Sequence, residues 1–213
     1  MTNPFTSGPL GNGLPRPQIP SILGGAPTPL SNILGVGIPS TKRSVFVSYH
    51  HGDAQLPGDQ LYYNKLSRGA AQQFQLMQDK SLRQQIDSGN HDYIIQKIRD
   101  RHITRTSCTI VLCGAHTPKR KYVDWEIKAT LDKGHGIVAV YLPTAPRSAS
   151  SIIVPDRLSP NINSGYAYWV SWESFTQSAA NFKACIESAV RRSKDAALKR
   201  QMHNPREIKK QNG

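Results

Sequence analysis

Apolar residues fall along this chain in two patterns: short unbroken runs, and stretches where they recur every three or four positions. The runs are residues 44–49 (SVFVSY), Cys108–Cys113 (CTIVLC) and 136–142 (GIVAVYL). Each is β-branched or aromatic and ends in a polar, Gly or Pro segment, as a strand buried on both faces does. Phe74–Met77 and residues 168–170 are shorter strand candidates. Between the runs, Leu61, Tyr62, Leu66 and Ala70 share a helical spacing over 59–73, and Ile94, Ile95, Ile98 and Ile103 share one over 92–105. A third helix is predicted over 122–133, stopped by Gly134, and a last long one from Phe175 to about Met202. Alternating strands and helices, with the strands apolar throughout, predict a parallel sheet covered on both faces. With right-handed crossovers this is an α/β, doubly wound, flavodoxin-like sheet of five strands. Such sheets bind ligands beyond the carboxyl ends of their strands, where the strand order reverses. The segment after the first strand, Ser48 to Asp53, and the loop from Gly114 to Lys121 open on that rim.

The pattern divides the chain into three. Residues 1–41 have prolines at 4, 9, 15, 17, 20, 27, 29 and 39, which no helix or central strand accommodates, so a disordered leader is expected. Residues 42–190 are the α/β domain, long enough to bury a core without disulfides or metals. Residues 191–213 are a basic helix end and tail. No stretch reaches the ~18 apolar residues of a membrane span, and the opening MTNPFTSGPLGNG lacks the basic start and apolar run of a secretory signal. A cytoplasmic protein is expected.

Charge sharpens this division. The net charge is +13. The leader carries only Arg16, residues 42–190 hold 18 basic and 12 acidic residues, and residues 191–213 hold eight basic and two acidic. A basic tail suits nucleic acid or an anionic surface, yet no nucleic-acid motif accompanies it, and a solvated helix end is the plainer reading. The three cysteines, Cys108, Cys113 and Cys185, have no C-x-x-C pairing and read as buried thiols. His50 and His51 are adjacent, so their side chains diverge, and no Cys or carboxylate cluster completes a metal set around them.

Glu126 is the candidate with the most chemistry. It lies near the start of the helix that follows the third strand, four residues after Tyr122, and positions i and i+4 share a helix face. A lone Glu there is also what the helix dipole favours. Asp124 reads as a solvated charge of the helix start and Trp125 as core. Lys119, Arg120 and Lys121 read as a solvated run or as partners for a pyrophosphate. His50 and Tyr49 read as pocket lining. Asp53 reads either as part of the same rim or as a cap. A receiver-type site is set aside, because Cys113 and Gly114 stand where an Asp should end the third strand.

Two segments together, residues 45–53 (VFVSYHHGD) and 119–127 (KRKYVDWEI), with residues 106–114 between them, resemble the TIR-like domain of the ThsB proteins of the bacterial Thoeris anti-phage system. The resemblance covers about residues 43–190. It implies an enzyme that cleaves NAD between nicotinamide and ribose and makes an ADP-ribose-derived, cyclic signal for a downstream effector protein. NAD is the substrate, and no cofactor or metal is implied. It further implies Glu126 as the catalytic residue, with Tyr122 on the substrate; Tyr49, His50 and Asp53 join them as substrate-binding candidates from their place on the rim. The family usually has Trp where Tyr122 stands, which keeps a flat ring but loses area. TIR catalysis commonly needs self-association. TIR domains also serve as non-catalytic interaction modules, the alternative the same residues support.

Overall fold

The computed structural model describes residues 43–52, 58–70, 74–77, 91–98, 100, 103–148 and 151–210. The leader, and the disorder expected of it, lies outside these residues, as does Asp53.

Five strands, β1 (Arg43–Ser48), β2 (Phe74–Met77), β3 (Cys108–Cys113), β4 (Gly136–Tyr141) and β5 (Tyr168–Ser171), form one sheet in the order β2-β1-β3-β4-β5. Every neighbouring pair is parallel. The chain steps outward from β1 to β2, then returns past β1 to β3, so the order reverses between β1 and β3. The described helices are α1 (Gln60–Ala70), α2 (His91–Ile98), α3 (Lys121–Asp132), α4 (Leu158–Asn163), α5 (Trp172–Thr176), α6 (Ala179–Lys194) and α7 (Ala196–Arg200).

Strand alternation splits the core in two. Val45, Val47, Tyr49, Ile110, Leu112, Val138 and Val140 pack with α1 and α6 on one face. Val111, Cys113, Ile137 and Ala139 pack on α3 and α4 on the other, where Phe46 meets α2 and the Trp125 and Ala129 side of α3. Cys108 and Cys113 fall on opposite faces, and all three cysteines are buried and outside any disulfide. The α3 helix ends where Gly134 takes φ +63° and donates its N–H to the Leu131 carbonyl, a left-handed turn that glycine enters without strain.

The single last helix expected over 175–202 is instead three pieces. Ser178 caps α6 by accepting from the Asn181 N–H, and Asp195 caps α7 by accepting from the Ala197 and Leu198 N–H groups. Each cap satisfies amides that a continuing helix would have used, so the helix restarts there. Beyond α7, residues 203–210 are not a solvated tail. They run back over α3 and α4, with Ile208 against the α2–α3 cluster. Among the described residues no helix is long and apolar enough to cross a membrane.

Candidate functional site at the carboxyl edge of β1 and β3

The α3 helix is pinned to the sheet by a chain of hydroxyls. Thr130 Oγ1 donates to the Glu126 carbonyl at 2.8 Å. A hydroxyl has one proton, so the 2.7 Å contact between the Thr109 and Thr130 oxygens runs from Thr109 to Thr130. One turn nearer the helix start, Glu126 shares the sheet-facing side with Thr130 and is only 6% exposed. Thr109 precedes Val111 by one pleat, so that turn brings Glu126 toward the level of Val111, which pairs with Ser48 at the carboxyl end of β1.

Ser48 is a residue that sequence reasoning missed. It follows Phe46 by two positions and therefore faces α3 as Phe46 does. It is 1% exposed, and its hydroxyl has no hydrogen-bond partner among the described residues. A buried hydroxyl without a partner is costly, and such groups mark places where something else binds. The sequence signal was available: a serine two residues after Phe46, on the same face of a run of strand apolars.

The other candidates separate. His50 lies at the same rim, buried, with its ring edge-on to His116 at 5.9 Å and its Nδ1 accepting from the Gly52 N–H at 3.4 Å. Tyr49 does not join Glu126. It alternates to the α1 face, stacks on Tyr63 at 5.0 Å and donates its hydroxyl to Gln60 Oε1 at 2.8 Å. Tyr122 flanks Glu126 on α3, but Trp125 meets its ring edge-on at 5.1 Å and the Lys121 ammonium lies 5.2 Å from its centre.

A second missed residue, Asp59, is 6% exposed and ties the two rim loops together. Its N–H donates to the His50 carbonyl at 2.6 Å, and its carboxylate accepts from Thr117 Oγ1 at 3.1 Å. A Cβ on Gly114 would lie 2.1 Å from Asp59 Oδ1, so only glycine permits this approach. Burial pushes the Asp59 carboxyl up to about 6, against the Thr117 hydrogen bond that lowers it. The same burial, with the Asp59 carboxylate nearby, holds the Cys113 thiol protonated.

Asp124 is not the solvated charge its position suggested. It is 7% exposed and takes Arg157 in a two-pronged pair, Nε to Oδ1 at 2.9 Å and Nη2 to Oδ2 at 3.2 Å. The remaining Arg157 protons go to residues 203–210, a strap over α3: to Asn204 Oδ1, the Pro205 carbonyl and the Glu207 carbonyl. The Lys209 N–H returns to Asp124 Oδ2, and Trp125 Nε1 donates to the Lys209 carbonyl at 2.8 Å. Arg120, at the N-cap of α3, has no such partners among the described residues. It is 9% exposed, its Nε is shut from solvent without a hydrogen bond, and its side chain does not cap the helix.

Among the described residues no group of three His, Cys, Asp or Glu is placed to hold a metal. A groove of about 850 Å³ lies elsewhere, lined by Arg147, Ser148, Ser151 and Trp169 among others, and holds none of the rim residues.

Residues 46–147 match the family model described as Thoeris protein ThsB, TIR-like domain. Of solved structures, the chain is similar to the TIR domains in the structure of the activated Roq1 resistosome directly recognizing the pathogen effector XopQ. That likeness has 13% identity, 76% of this chain and 84% of that one covered, and a TM-score of 0.32. No curated protein matches the sequence.

Proposed function

Residues 46–147 are a TIR-like domain of the Thoeris ThsB family, and from that premise we propose that the protein cleaves NAD between nicotinamide and ribose, with Glu126 as the catalytic carboxylate. The observation that carries this reading is Glu126 itself: a carboxylate-bearing residue, 6% exposed, on the sheet-facing side of α3 near the reversal of strand order. The sheet order is that of flavodoxin-like folds, whose ligands bind at that place.

The chemistry asks little of the protein. Nicotinamide in NAD leaves as a neutral base, taking the electron pair of its bond to C1′, so no acid is needed. Positive charge develops on the ribose as an oxocarbenium ion. A fixed carboxylate beside the sugar stabilises that charge, and its low-dielectric setting strengthens the effect. Capture by water gives ADP-ribose and one proton. Capture by a nucleophile of the same nucleotide gives a cycle and the same proton. The Ser48 hydroxyl and His50 are the groups on this face suited to the ribose. The cyclic product would act as a signal to an effector protein, in the cytoplasm, and self-association would accompany activity.

The test is incubation of the purified full-length chain with NAD and resolution of products by mass, beside Glu126→Gln. Release of nicotinamide by the native chain and not by the variant is expected. Intact NAD after incubation with the native chain, across a range of protein concentrations, would overturn the reading.

One observation favours a non-catalytic interaction module. The Tyr122 ring is already engaged by Trp125 and Lys121, which leaves it less able to stack on a substrate.

A further inference from the structure

Arg120 is the anomaly of this region. A guanidinium carries five N–H donors and stays charged at every working pH. Buried arginines are therefore paired, since an uncompensated buried charge is among the costliest defects a fold can hold. Arg157, 5% exposed, obeys the rule with Asp124 and three strap acceptors. Arg120, 9% exposed, has no ion pair and no side-chain hydrogen bond among the described residues. Its Nε is closed off from solvent, while its two terminal nitrogens are not, so the guanidinium opens outward at its far edge.

Its place gives the defect a meaning. Arg120 is the N-cap of α3, a position normally filled by Ser, Thr, Asp or Asn, whose oxygen satisfies the first amides. Here no side chain caps the helix, and the N–H groups of Tyr122 and Val123 have no acceptor among the described residues. The carboxylate of the first turn, Asp124, is turned away into Arg157 and the Lys209 N–H. A helix start with orphan amides, the positive end of its dipole and an unpaired guanidinium lacks one thing, an anion. Lys119, exposed beside them, adds to the same field.

We propose that Arg120 and the first turn of α3 form a phosphate site, and that it holds the pyrophosphate of the dinucleotide whose ribose meets Glu126. The proposal rests on the NAD reading for its ligand but not for its chemistry. Six residues of helix separate Arg120 from Glu126, about 9 Å along the axis, the reach of a ribose and its 5′-phosphate. The arginine thus serves binding and Glu126 serves bond cleavage.

The test uses the full chain and Arg120→Met, which keeps the stem and removes the charge. Binding of inorganic pyrophosphate, of nicotinamide mononucleotide and of nicotinamide riboside, which lacks the phosphate, is measured by calorimetry. The native chain should prefer the mononucleotide over the riboside by ~10- to 100-fold, the worth of hydrogen bonds to a charged group. Arg120→Met should erase that preference and the pyrophosphate binding. It should also melt higher than the native chain without ligand, because it removes an unpaired buried charge. A purely structural arginine would give the opposite: a lower melting temperature with phosphate binding unchanged. That result overturns the proposal, as does equal affinity of the native chain for mononucleotide and riboside. The NAD reading is separable. If Arg120-dependent pyrophosphate binding is seen but NAD stays intact, the phosphate site stands and the NAD reading falls. If NAD is cleaved and Arg120→Met leaves KM unchanged, the reverse holds.

Discussion

Thr109 on β3 and Thr130 on α3 bring their hydroxyl oxygens to 2.7 Å inside the core, and Thr130 gives its proton to the carbonyl of Glu126. The main chain of the candidate catalytic residue is thereby tied to the central strand of the sheet rather than to a loop. A site carried on paired helix and strand keeps its geometry better than one on a loop, and reacting groups lose about 100-fold for a misplacement of ~1 Å. Thr130→Val removes the donor to Glu126 and leaves Thr109 without its acceptor. It should cost ~1–3 kcal/mol in denaturant unfolding and lower turnover of NAD more than it changes KM.

Glu126→Gln should keep the fold, with circular dichroism and melting close to native. Turnover of NAD should drop by at least ~100-fold, the scale of losing one positioned electrostatic group. A variant with native rates would remove Glu126 from the chemistry.

Ser48→Ala separates packing from function. The hydroxyl has no partner, so its removal should leave stability unchanged or raise it by up to ~1 kcal/mol. If the hydroxyl grips the substrate, KM for NAD should rise in the same variant. A large loss of stability would mean that Ser48 is a structural residue.

Asp59 predicts a pH dependence. Its carboxyl is raised by burial to about 6 in the folded protein against 3.8 for an ordinary aspartate. The folded state therefore binds more protons than the unfolded state between those values, and stability from this group is fully present below pH 4 and lost as pH rises through 6. Holding the group charged above that costs on the order of 3 kcal/mol, at ~1.4 kcal/mol per tenfold. Asp59→Asn should match the native chain near pH 4 and exceed it in stability at pH 8. Paired urea titrations at the two values measure this, and a difference that does not grow with pH would refute it.

Arg157→Ala should be the most damaging of these changes, by ~3–5 kcal/mol, because it strands Asp124 in the core. Ending the chain after Met202 removes Asn204, the Pro205 and Glu207 carbonyls and the Lys209 N–H together, and should cost ~3 kcal/mol or more. Thermal unfolding of both variants checks this.

Much of this architecture was legible in the sequence, for a physical reason. The strands β1, β3 and β4 are buried on both faces, so each is a bare apolar run, and the helix before Gly134 has a clear period and a clear stop. The position of Glu126 was legible because helical spacing gave it a side. Tyr49 was misplaced because a strand's alternation sends it to the face opposite Ser48, which the motif hid. Asp59, Ser48 and Asp124 were missed or misread because burial of a polar side chain depends on partners far along the chain. Arg157 lies in an irregular stretch, and residues 203–210 are polar without period. Neither segment announces the other.

The clasp around α3 reads main chain more than side chains. Arg157 takes the carbonyls of Pro205 and Glu207, Trp125 takes that of Lys209, and Asp124 takes the Lys209 amide. Such a grip is indifferent to the identity of residues 205 and 207 but not to their count, whereas Lys209 also sends its ammonium to the Pro118 carbonyl and Asp156. Substitutions at 205 and 207 should pass with small effect. One residue inserted between Asn204 and Lys209 would shift every contact out of phase, like a key cut one notch too long.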